Sequence, residues 1–346
     1  MKFTFLGTAS CYPTPTRGVS CTALQLSDGQ VWLFDCGECS QVQLQKSNLK
    51  SGKITKIFIT HLHGDHLFGL PGLLCTLGGG LPPNQAEEKT VDIYGPQGLR
   101  KYIAVNLELA RSPLAYKYNV HELMPEQDQY PPDWKEWPVN HVCDSEKPLE
   151  NFVESISMSQ FKDGSRFWKI QEDAQYTIKA VPLKHRIPCF GYVIQESDKP
   201  GKLDVEKAKK LGVKPGPDLG ILKNGNSVLA VGTGQEIKPE DVLGEPIKGK
   251  KVVVLGDTCD TNEIAVFSQD ADYIVHEATM EDSLKSKAIE CGHSTPSMAA
   301  EFAIRVKGRK LCLTHLSPRY KPISLIKPEE TETAQIILAE VKKYLP

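Results

Sequence analysis

The chain has 346 residues, with 41 lysines and arginines against 43 aspartates and glutamates, and a formal net charge of -2 at pH 7. This length allows one large domain or two ordinary ones, and the 40% hydrophobic and 24% charged composition is typical of a soluble globular protein. No apolar run approaches the roughly 18 residues of a membrane span, and the balanced charge argues against an overall basic nucleic-acid binder.

The compartment is predicted from the start of the chain and from the cysteines. Residues 1–7, MKFTFLG, lack the charged region and long apolar stretch of a cleaved signal peptide, and no clear mitochondrial transit peptide is present. Of the ten cysteines, Cys36 and Cys39 form the only CxxC pair, and no second pair completes a zinc knuckle. We therefore expect reduced thiols and a cytosolic location, with the nucleus as an alternative, and no contact with membranes.

The predicted elements suggest a layered α/β fold. Apolar segments rich in β-branched residues and bounded by Gly, Pro and Asp predict strands at 2–6, 31–34, 54–60, 90–94, 176–183, 190–195, 251–255, 273–275 and 311–313. Helical patterns occur at 96–110, 279–290, 296–306 and 329–344, and Thr295 before Pro296 is expected to cap the third of these helices. Because helices separate only some of the strands, we expect a sandwich of two sheets flanked by helices.

Two segments carry opposite charge. Residues 122–154 contain nine carboxylates and two lysines, and a solvated acidic loop insertion is the preferred interpretation. Residues 199–223 contain seven lysines and three carboxylates, a net charge of +4, between Pro200-Gly201 and Gly216-Pro217, which suggests a hairpin-like excursion with a short helix. Residues 302–328 also hold seven basic residues and no acid. The charge is therefore segregated along the chain.

A cluster of metal-binding residues follows the strand predicted at 54–60. Residues 60–66 read THLHGDH and place His61, His63, Asp65 and His66 within six positions. Imidazole and carboxylate groups are the ligands of borderline metals such as zinc. The alternative, a histidine-rich surface turn without a metal, is a poor explanation for so many ligand types in one short segment.

Three more candidate ligands share one placement, directly after an apolar strand. His185 follows the strand at 176–183, Asp257 follows 251–255, and His315 follows 311–313. Strand ends along one edge of a sheet bring distant residues close together. The seven candidates suffice for two metals if Asp257 bridges them. The remaining candidates, His121, His141 and His276, are interpreted as ordinary polar or structural histidines.

At this point the sequence resembles the metallo-β-lactamase superfamily and, within it, the short form of ribonuclease Z, the tRNA 3′-processing endonuclease. The HxHxDH signature indicates the superfamily, while HEAT at 276–279, GHST at 292–295 and the basic insertion framed by Gly and Pro narrow the match. The resemblance extends over nearly the whole chain. It implies an αββα sandwich, a single domain over 1–346, and within it a flexible tRNA-binding arm at about 196–230.

The resemblance also implies residue roles and partners. One zinc would be held by His61, His63, His185 and Asp257, and a second zinc by Asp65, His66, Asp257 and His315. Precursor tRNA would lose its 3′ trailer when hydroxide activated by two zinc ions attacks the phosphodiester, leaving a 3′-hydroxyl on the tRNA and a 5′-phosphate on the trailer. Short forms are typically homodimers, in which the arm of one subunit grips tRNA presented to the other.

Proton transfer is assigned to three residues. Asp65 is expected to accept a proton from the nucleophile and His293 to protonate the leaving oxygen, with Glu277 orienting the imidazole. A helix-capping role near Thr295 and Pro296 is the alternative for His293.

Candidate RNA contacts combine basic residues with an aromatic one. In the arm they are Lys202, Lys207, Lys209, Lys210, Lys214, Gly216 and Pro217. Near the metals they are Arg319 and Tyr320, for which a solvated turn is the alternative, and, more weakly, Arg17.

Two rival functions remain open at this level. A thioesterase, lactonase or general phosphodiesterase could use the same fold, although a small substrate would not need a basic arm. A catalytically idle RNA-binding or scaffold protein is disfavoured because all seven expected ligands are present. These hypotheses can be distinguished by one assay, in which precursor tRNA and a small phosphodiester are each incubated with the protein, with and without a chelator.

Overall fold

The structure is a computed structural model that describes residues 1–78, 82–134, 153–161, 164–322 and 333–345. Its strands are β1 (Lys2–Gly7), β2 (Cys21–Gln25), β3 (Val31–Phe34), β4 (Ile54–Phe58), β5 (Thr90–Pro96), β6 (Lys117–Leu123), β7 (Val153–Ile156), β8 (Met158–Gln160), β9 (Arg166–Glu172), β10 (Tyr176–Leu183), β11 (Cys189–Glu196), β12 (Val228–Leu229), β13 (Glu236–Ile237), β14 (Lys251–Val254), β15 (Tyr273–Glu277) and β16 (Leu311–Thr314). Its α-helices are α1 (Ser40–Lys46), α2 (Gly64–Leu67), α3 (Leu70–Leu77), α4 (Pro83–Glu88), α5 (Leu99–Leu109), α6 (Val205–Lys210), α7 (Pro217–Lys223), α8 (Pro239–Val242), α9 (Asn262–Phe267), α10 (Lys285–Glu290), α11 (Pro296–Arg305) and α12 (Ala334–Val341).

Two seven-stranded sheets carry most of the strands. The first contains β1 to β7 in chain order, and the second has the order β16-β15-β14-β11-β10-β9-β8. From β3 to β7 the first sheet is parallel, and β14, β15 and β16 are also parallel to one another. Because parallel strands end at the same edge of a sheet, residues that follow β4, β14 and β16 come together at such edges.

Buried aromatic rings join the two sheets. Phe34 of β3 and Phe58 of β4 stack with ring centroids 5.0 Å apart, and Tyr192 of β11 lies 5.1 Å from Phe58. The Tyr192 hydroxyl donates to the Ile59 carbonyl at 2.6 Å, so its polar end is satisfied in the core. Each fully buried side chain of this size contributes about 1.5–3 kcal/mol relative to exposure. The sheets therefore pack face to face, as the sandwich prediction requires.

The nine predicted strands are present, with ends that differ by up to two residues. The predictions omitted β2, β6, β7, β8, β9, β12 and β13. Strand β6, KYNVHEL, and strand β9, RFWKIQE, mix charged with apolar residues and have only some buried positions, so their apolar signal is weak.

The predicted helix at 279–290 is wrong in its first half. Residues Asp282–Leu284 form a 3-10 turn, and α10 begins only at Lys285. The Asp282 carboxylate accepts the Ser297 N–H at 2.9 Å, which ties this turn to the start of α11. Thr295 is the N-cap residue of α11 as predicted, but its hydroxyl contacts the Ser297 hydroxyl and makes no capping bond to the backbone.

The acidic segment 122–154 is described only at its ends, because residues 135–152 lie outside the described residues. Its first residues belong to β6 and its last belong to β7, and these strands pair in parallel. The Glu122 carboxylate accepts the N–H groups of Gly98 and Arg100, both at 2.9 Å, and so caps the start of α5. The first residue of the acidic segment therefore stabilises the start of a helix.

The chain divides into two compact units. One comprises residues 1–170, 178–193 and 252–346, and the other comprises 171–177 and 194–251, here called the arm unit. The segment predicted as an arm, about 196–230, lies within the arm unit.

The arm unit contains α6, α7, α8 and the hairpin β12–β13. It has a small core of seven buried apolar residues: Ala208, Val213, Leu222, Val228, Ala230, Ile237 and Val242. The segment is thus packed around apolar side chains, with two helices, α6 and α7, in the region for which one was predicted.

In the described parts of the chain the longest helix, α5, has 11 residues, and no helix is long and apolar enough to cross a bilayer. The nine cysteines in these parts are free thiols.

Candidate metal centre

The THLHGDH segment begins at the end of β4 and turns into the short helix α2. Its backbone is anchored on both sides, because the Thr60 carbonyl accepts the Phe190 N–H at 2.9 Å and the His66 carbonyl accepts the Cys36 N–H at 2.8 Å. A side chain at Gly37 would place its Cβ 2.1 Å from the Asp65 carbonyl oxygen, so only glycine permits this close approach. His61 and His66 are buried, at 0% and 2% exposure.

The three downstream candidates lie at the same place. His185 follows β10, Asp257 follows β14 and His315 follows β16, and the last two are buried at 3% and 2% exposure. The Asp257 Oδ2 atom lies 3.2 Å from His315 Nε2 and 3.9 Å from His185 Nε2. The ends of these three strands thus bring together residues that are up to 130 positions apart in the sequence.

The donors expected for one zinc are within reach of one another. His61, His63 and His185 form a group whose ligand atoms all lie within 4.8 Å. His185 Nε2 is 3.2 Å from His63 Nδ1, and Asp257 Oδ2 is 3.6 Å from His61 Nε2. These four residues surround one small volume.

The donors expected for the second zinc lie beside the first group. His315 Nε2 is 3.1 Å from His66 Nε2 and 3.2 Å from Asp65 Oδ2. Asp257 Oδ2 is 3.5 Å from His66 Nε2 and therefore faces both groups. The structure brings all seven predicted ligands into one cluster. His293 and Glu277 also enter groups of this kind, with Asp257 and His315.

Neighbouring hydrogen bonds decide which ring nitrogen of His66 and His61 faces the cluster. The Asp35 carboxylate accepts His66 Nδ1–H at 2.7 Å and the Thr60 hydroxyl at 3.0 Å. Since the Thr60 hydroxyl proton is used there, its oxygen accepts His61 Nδ1–H at 3.0 Å. Nδ1 makes the outer hydrogen bond in both rings, so Nε2 is the nitrogen that faces the cluster and can bind a metal.

The same reasoning applies to His315 and His185. The Thr279 hydroxyl donates to the Glu277 carboxylate, so its oxygen accepts His315 Nδ1–H at 2.8 Å. The Gly292 carbonyl, which can only accept, receives His185 Nδ1–H at 2.8 Å. Four imidazoles thus present Nε2 to the same cluster, the orientation that outer partners impose on metal-binding histidines.

Burial keeps two of the imidazoles in the form that binds metals. It lowers the pKa of His63 to about 4 and that of His61 well below its usual value, so both rings are neutral. Burial opposes a charge on His66, yet Asp257 and Asp35 raise the pKa of His66 well above its usual value, so a metal would displace its Nε2 proton. Burial alone would raise the pKa of Asp257, but His315 and His66 hold it well below its usual range. Among the described residues, buried His61 Nε2 has no hydrogen-bond partner. The residues present therefore fit zinc, by donor chemistry and by this unpartnered atom.

His293 and Glu277 form a buried pair next to the cluster. His293 Nδ1 lies 3.2 Å from Glu277 Oε1 and 3.8 Å from Asp257 Oδ2. Burial opposes the charged imidazole, yet Glu277 and then Asp257 raise the pKa of His293 to about 9. Glu277 also accepts the Thr258 N–H at 2.7 Å. The imidazole bonds to Glu277, and the N-cap of α11 is Thr295, so the contacts do not favour the helix-capping alternative.

The predicted RNA contacts of the arm are surface residues. Lys202, Lys207, Lys209, Lys210 and Lys214 are exposed. Gly216 has φ 137°, a value that favours glycine, and Pro217 begins α7 at its first turn. Lys209 forms an exposed ion pair with Glu206 at 2.7 Å.

The predicted contacts near the metals differ among themselves. Arg319 is exposed, and Arg17 is half-buried with its Nη1 atom lacking a hydrogen-bond partner among the described residues. Tyr320 is buried at 1% exposure, and its hydroxyl accepts the Glu281 N–H at 2.9 Å. The prediction that Tyr320 stacks on a base is therefore wrong in this structure, because its ring packs into the core cluster with Ala278 and Ile337.

Three supporting residues were not predicted. Asp35 and Thr279 hold His66 and His315, and the Cys11 N–H donates to Asp65 Oδ2 at 2.7 Å. Asp35 follows the buried strand β3, so the rule that found Asp257 would also have found it. Thr279 and the backbone of Cys11 have no such signal.

The histidines expected to have structural roles are accounted for where they are described. His121 Nε2 contacts Asp92 Oδ1 at 3.1 Å, and His276 Nδ1 donates to the Glu277 carbonyl at 2.7 Å. Neither belongs to a group of metal-binding side chains in the described residues. His141 lies outside the described residues.

Comparison with known sequences gives full-length relatives. The chain is 46% identical to the human protein named zinc phosphodiesterase ELAC protein 1, over 99% of this chain and 92% of that one. It is 38% identical to a protein named ribonuclease Z from Prochlorococcus marinus strain MIT 9301, over 100% of this chain and 96% of that one. A family model described as anti-Pycsar protein Apyc1 matches residues 1–81.

Comparison with solved structures finds the same kind of relative as comparison with sequences. The crystal structure of human tRNase Z, short form (ELAC1), matches with a TM-score of 0.66 at 36% identity, covering 92% of this chain and 94% of that chain. The likeness to metallo-β-lactamase fold proteins confirms the fold class that the sequence resemblance implied.

Proposed function

The chain belongs to the ribonuclease Z family, and on this premise we propose that it is a zinc-dependent endoribonuclease that removes the 3′ trailer from precursor tRNA. The observation that carries the proposal is the cluster of seven donors, in which Asp257 faces both groups of ligands. We further propose that two zinc ions bind per subunit and that the products are a 3′-hydroxyl on the tRNA and a 5′-phosphate on the trailer.

The proposed ligands are those expected from the sequence. His61, His63, His185 and Asp257 would hold one zinc ion, and Asp65, His66, Asp257 and His315 the other. Bound zinc lowers the pKa of water and offsets negative charge on a phosphoryl group.

Asp65 is the proposed proton acceptor. The Cys11 N–H and His315 both contact its Oδ2 atom, so one carboxylate oxygen is held in place by two neighbours. A carboxylate fixed in this way can receive a proton from the attacking water without reorganising.

His293 is the proposed proton donor to the leaving oxygen of the tRNA. Its contact with Glu277 supports this role because a carboxylate partner fixes the ring and favours the protonated imidazole. Replacement of His293 by Ala should slow cleavage of ordinary phosphodiesters by about 10²- to 10⁴-fold. A phosphodiester with a nitrophenolate leaving group needs no acid and should be cleaved at nearly the rate of the unmodified protein. Equal losses on both substrates would contradict the acid role.

One assay tests the function as a whole. A 3′-extended precursor tRNA and bis(p-nitrophenyl) phosphate would be incubated with the protein, with and without a chelator, and the RNA ends would be mapped. Chelator-sensitive cleavage at the 3′ side of the acceptor stem is expected. Cleavage of the small ester alone would favour a general phosphodiesterase, and tight tRNA binding without cleavage would favour a scaffold.

We propose that the protein works as a homodimer and that the arm unit of one subunit holds tRNA processed by the other. The exposed lysines of the arm unit support RNA binding. Mixing an Asp65→Ala subunit with a subunit that lacks residues 199–223 should restore activity that neither has alone. No restoration would contradict sharing of tRNA between subunits.

The cytosol, with the nucleus as an alternative, is the proposed location, since free thiols persist in reducing compartments. Fractionation of cells followed by detection of the protein would test it.

A further inference from the structure

A positively charged residue without a predicted role stands next to the metal ligand His185. Arg186 follows His185 in the loop between β10 and β11, and its side chain is exposed. Among the residues that the structure describes, its guanidinium group makes no hydrogen bond or ion pair. The side chain is therefore available to a ligand.

The backbone on both sides of Arg186 is held in place. The Lys184 carbonyl accepts the Cys259 N–H at 3.0 Å, and His185 Nδ1 donates to the Gly292 carbonyl at 2.8 Å. A Cβ atom at Gly292 would lie 3.4 Å from the backbone nitrogen of Arg186, so the loop that carries His293 packs against this segment. Ile187, the next residue, is buried at 9% exposure. Arg186 thus projects from an anchored segment.

The charge of Arg186 acts on groups around the cluster. Burial is the largest influence on the pKa values of Cys11, His63 and His293, and the guanidinium charge shifts each of them toward lower values. The Cys11 backbone holds Asp65, His63 is a proposed ligand, and His293 is the proposed acid. These influences agree with the position of Arg186 directly after His185 and against the loop that carries His293.

The carboxylates of the cluster are already engaged by other groups. Asp65 and Asp257 contact His315, and Glu277 accepts the Thr279 hydroxyl. An anionic substrate would give the guanidinium group a partner, since arginine binds phosphoryl oxygens through two N–H groups.

On the basis of the proposed function, we propose that Arg186 is a catalytic residue that binds a non-bridging oxygen of the phosphodiester that is cleaved. It would stabilise the negative charge that grows on the phosphoryl oxygens as the water attacks and the 3′ oxygen of the tRNA leaves, while the phosphate stays on the 5′ oxygen of the trailer. Arg186 neither gains nor loses a proton in this step.

The test compares Arg186→Ala and Arg186→Lys with Lys184→Ala. Lys184 is a matched control because it is also exposed and lies on the other side of His185. Arg186→Ala should lower kcat on the order of 100-fold for both bis(p-nitrophenyl) phosphate and 3′-extended precursor tRNA. Arg186→Lys should recover part of this loss, and Lys184→Ala should change kcat by less than about 5-fold.

Three outcomes would overturn the assignment. Unchanged kcat in Arg186→Ala would show an ordinary solvated arginine, and a rise in KM for tRNA alone would place Arg186 on a distant phosphate. Loss of zinc from Arg186→Ala, measured by mass spectrometry, would show a structural role. The small ester keeps the test independent, because an unmodified protein that cleaves the ester and leaves precursor tRNA intact would contradict only the proposed function.

Discussion

The metal centre and the arm unit are built in opposite ways. Five of the seven proposed ligands at the centre are oriented by a group outside the ligand set, and most of these side chains are inaccessible to water. The arm unit has a core of seven small or medium apolar residues and carries its lysines on the outside. One substitution at the centre therefore disturbs several coupled contacts, whereas charges on the arm unit act almost independently of one another.

The largest effect is expected for Asp65→Ala. The variant should lose on the order of 10³-fold or more in kcat for precursor tRNA, because it removes both a ligand and the proposed proton acceptor. Its affinity for tRNA, measured by electrophoretic mobility shift, should change little. Asp28→Ala, in an exposed turn, is the control and should keep full activity. Substantial cleavage of precursor tRNA by Asp65→Ala would contradict the assignment of Asp65 as the proton acceptor.

The second prediction concerns the groups that orient the ligands. Asp35→Asn should weaken zinc binding by about 10- to 100-fold, because its amide nitrogen would face a donor in either orientation: the Thr60 N–H on one side, or His66 Nδ1–H and the Thr60 hydroxyl on the other. Zinc affinity is measured by competition with a chromophoric chelator. Asp28→Asn should bind zinc as the unmodified protein does. Equal zinc affinity of the Asp35 and Asp28 variants would show that Asp35 does not support the centre.

The third prediction separates the arm unit from the centre. Leu222 is fully buried in the arm core, so Leu222→Ala should lower the free energy of unfolding of this unit by about 2–5 kcal/mol. Ile221, its neighbour, is 41% exposed, and Ile221→Ala should cost less than about 1 kcal/mol. Hydrogen exchange of residues 205–223 reports the difference. Cleavage of the small phosphodiester should stay unchanged in both variants. A loss of this activity together with the loss of stability would show that the metal centre depends on the arm unit.

The smallest effects are expected for single lysines of the arm. Lys210→Ala should weaken tRNA binding by a factor of about 2–5 and reduce the slope of log affinity against log salt by about 1. Lys101, an exposed lysine of α5, is the control. Activity on the small ester should not change. If Lys101→Ala and Lys210→Ala weaken binding equally, the arm has no special part in holding tRNA.

The three downstream ligands could be predicted from the sequence because all of them share one position relative to a strand. A polar residue directly after a buried strand lies at a sheet edge, and this rule places His185, Asp257 and His315 beside the THLHGDH segment. Tyr320 shows where the rule stops, since its position near His315 in sequence says nothing about which way its ring points. The ring packs with Ala278 and Ile337, and packing against distant elements is not visible in local sequence.

Periodicity, strand ends and composition are local properties of the chain, and they were enough to predict the layered fold, the seven candidate ligands and the segregation of charge. The folded structure was needed to establish which ring nitrogens face the cluster, since that choice depends on Asp35, Thr60, Thr279 and Gly292. It also decided that the basic segment around residues 199–223 belongs to a packed unit with its own core. Hydrogen bonds and burial are made between residues distant in sequence, so their outcome exists only once the chain has folded.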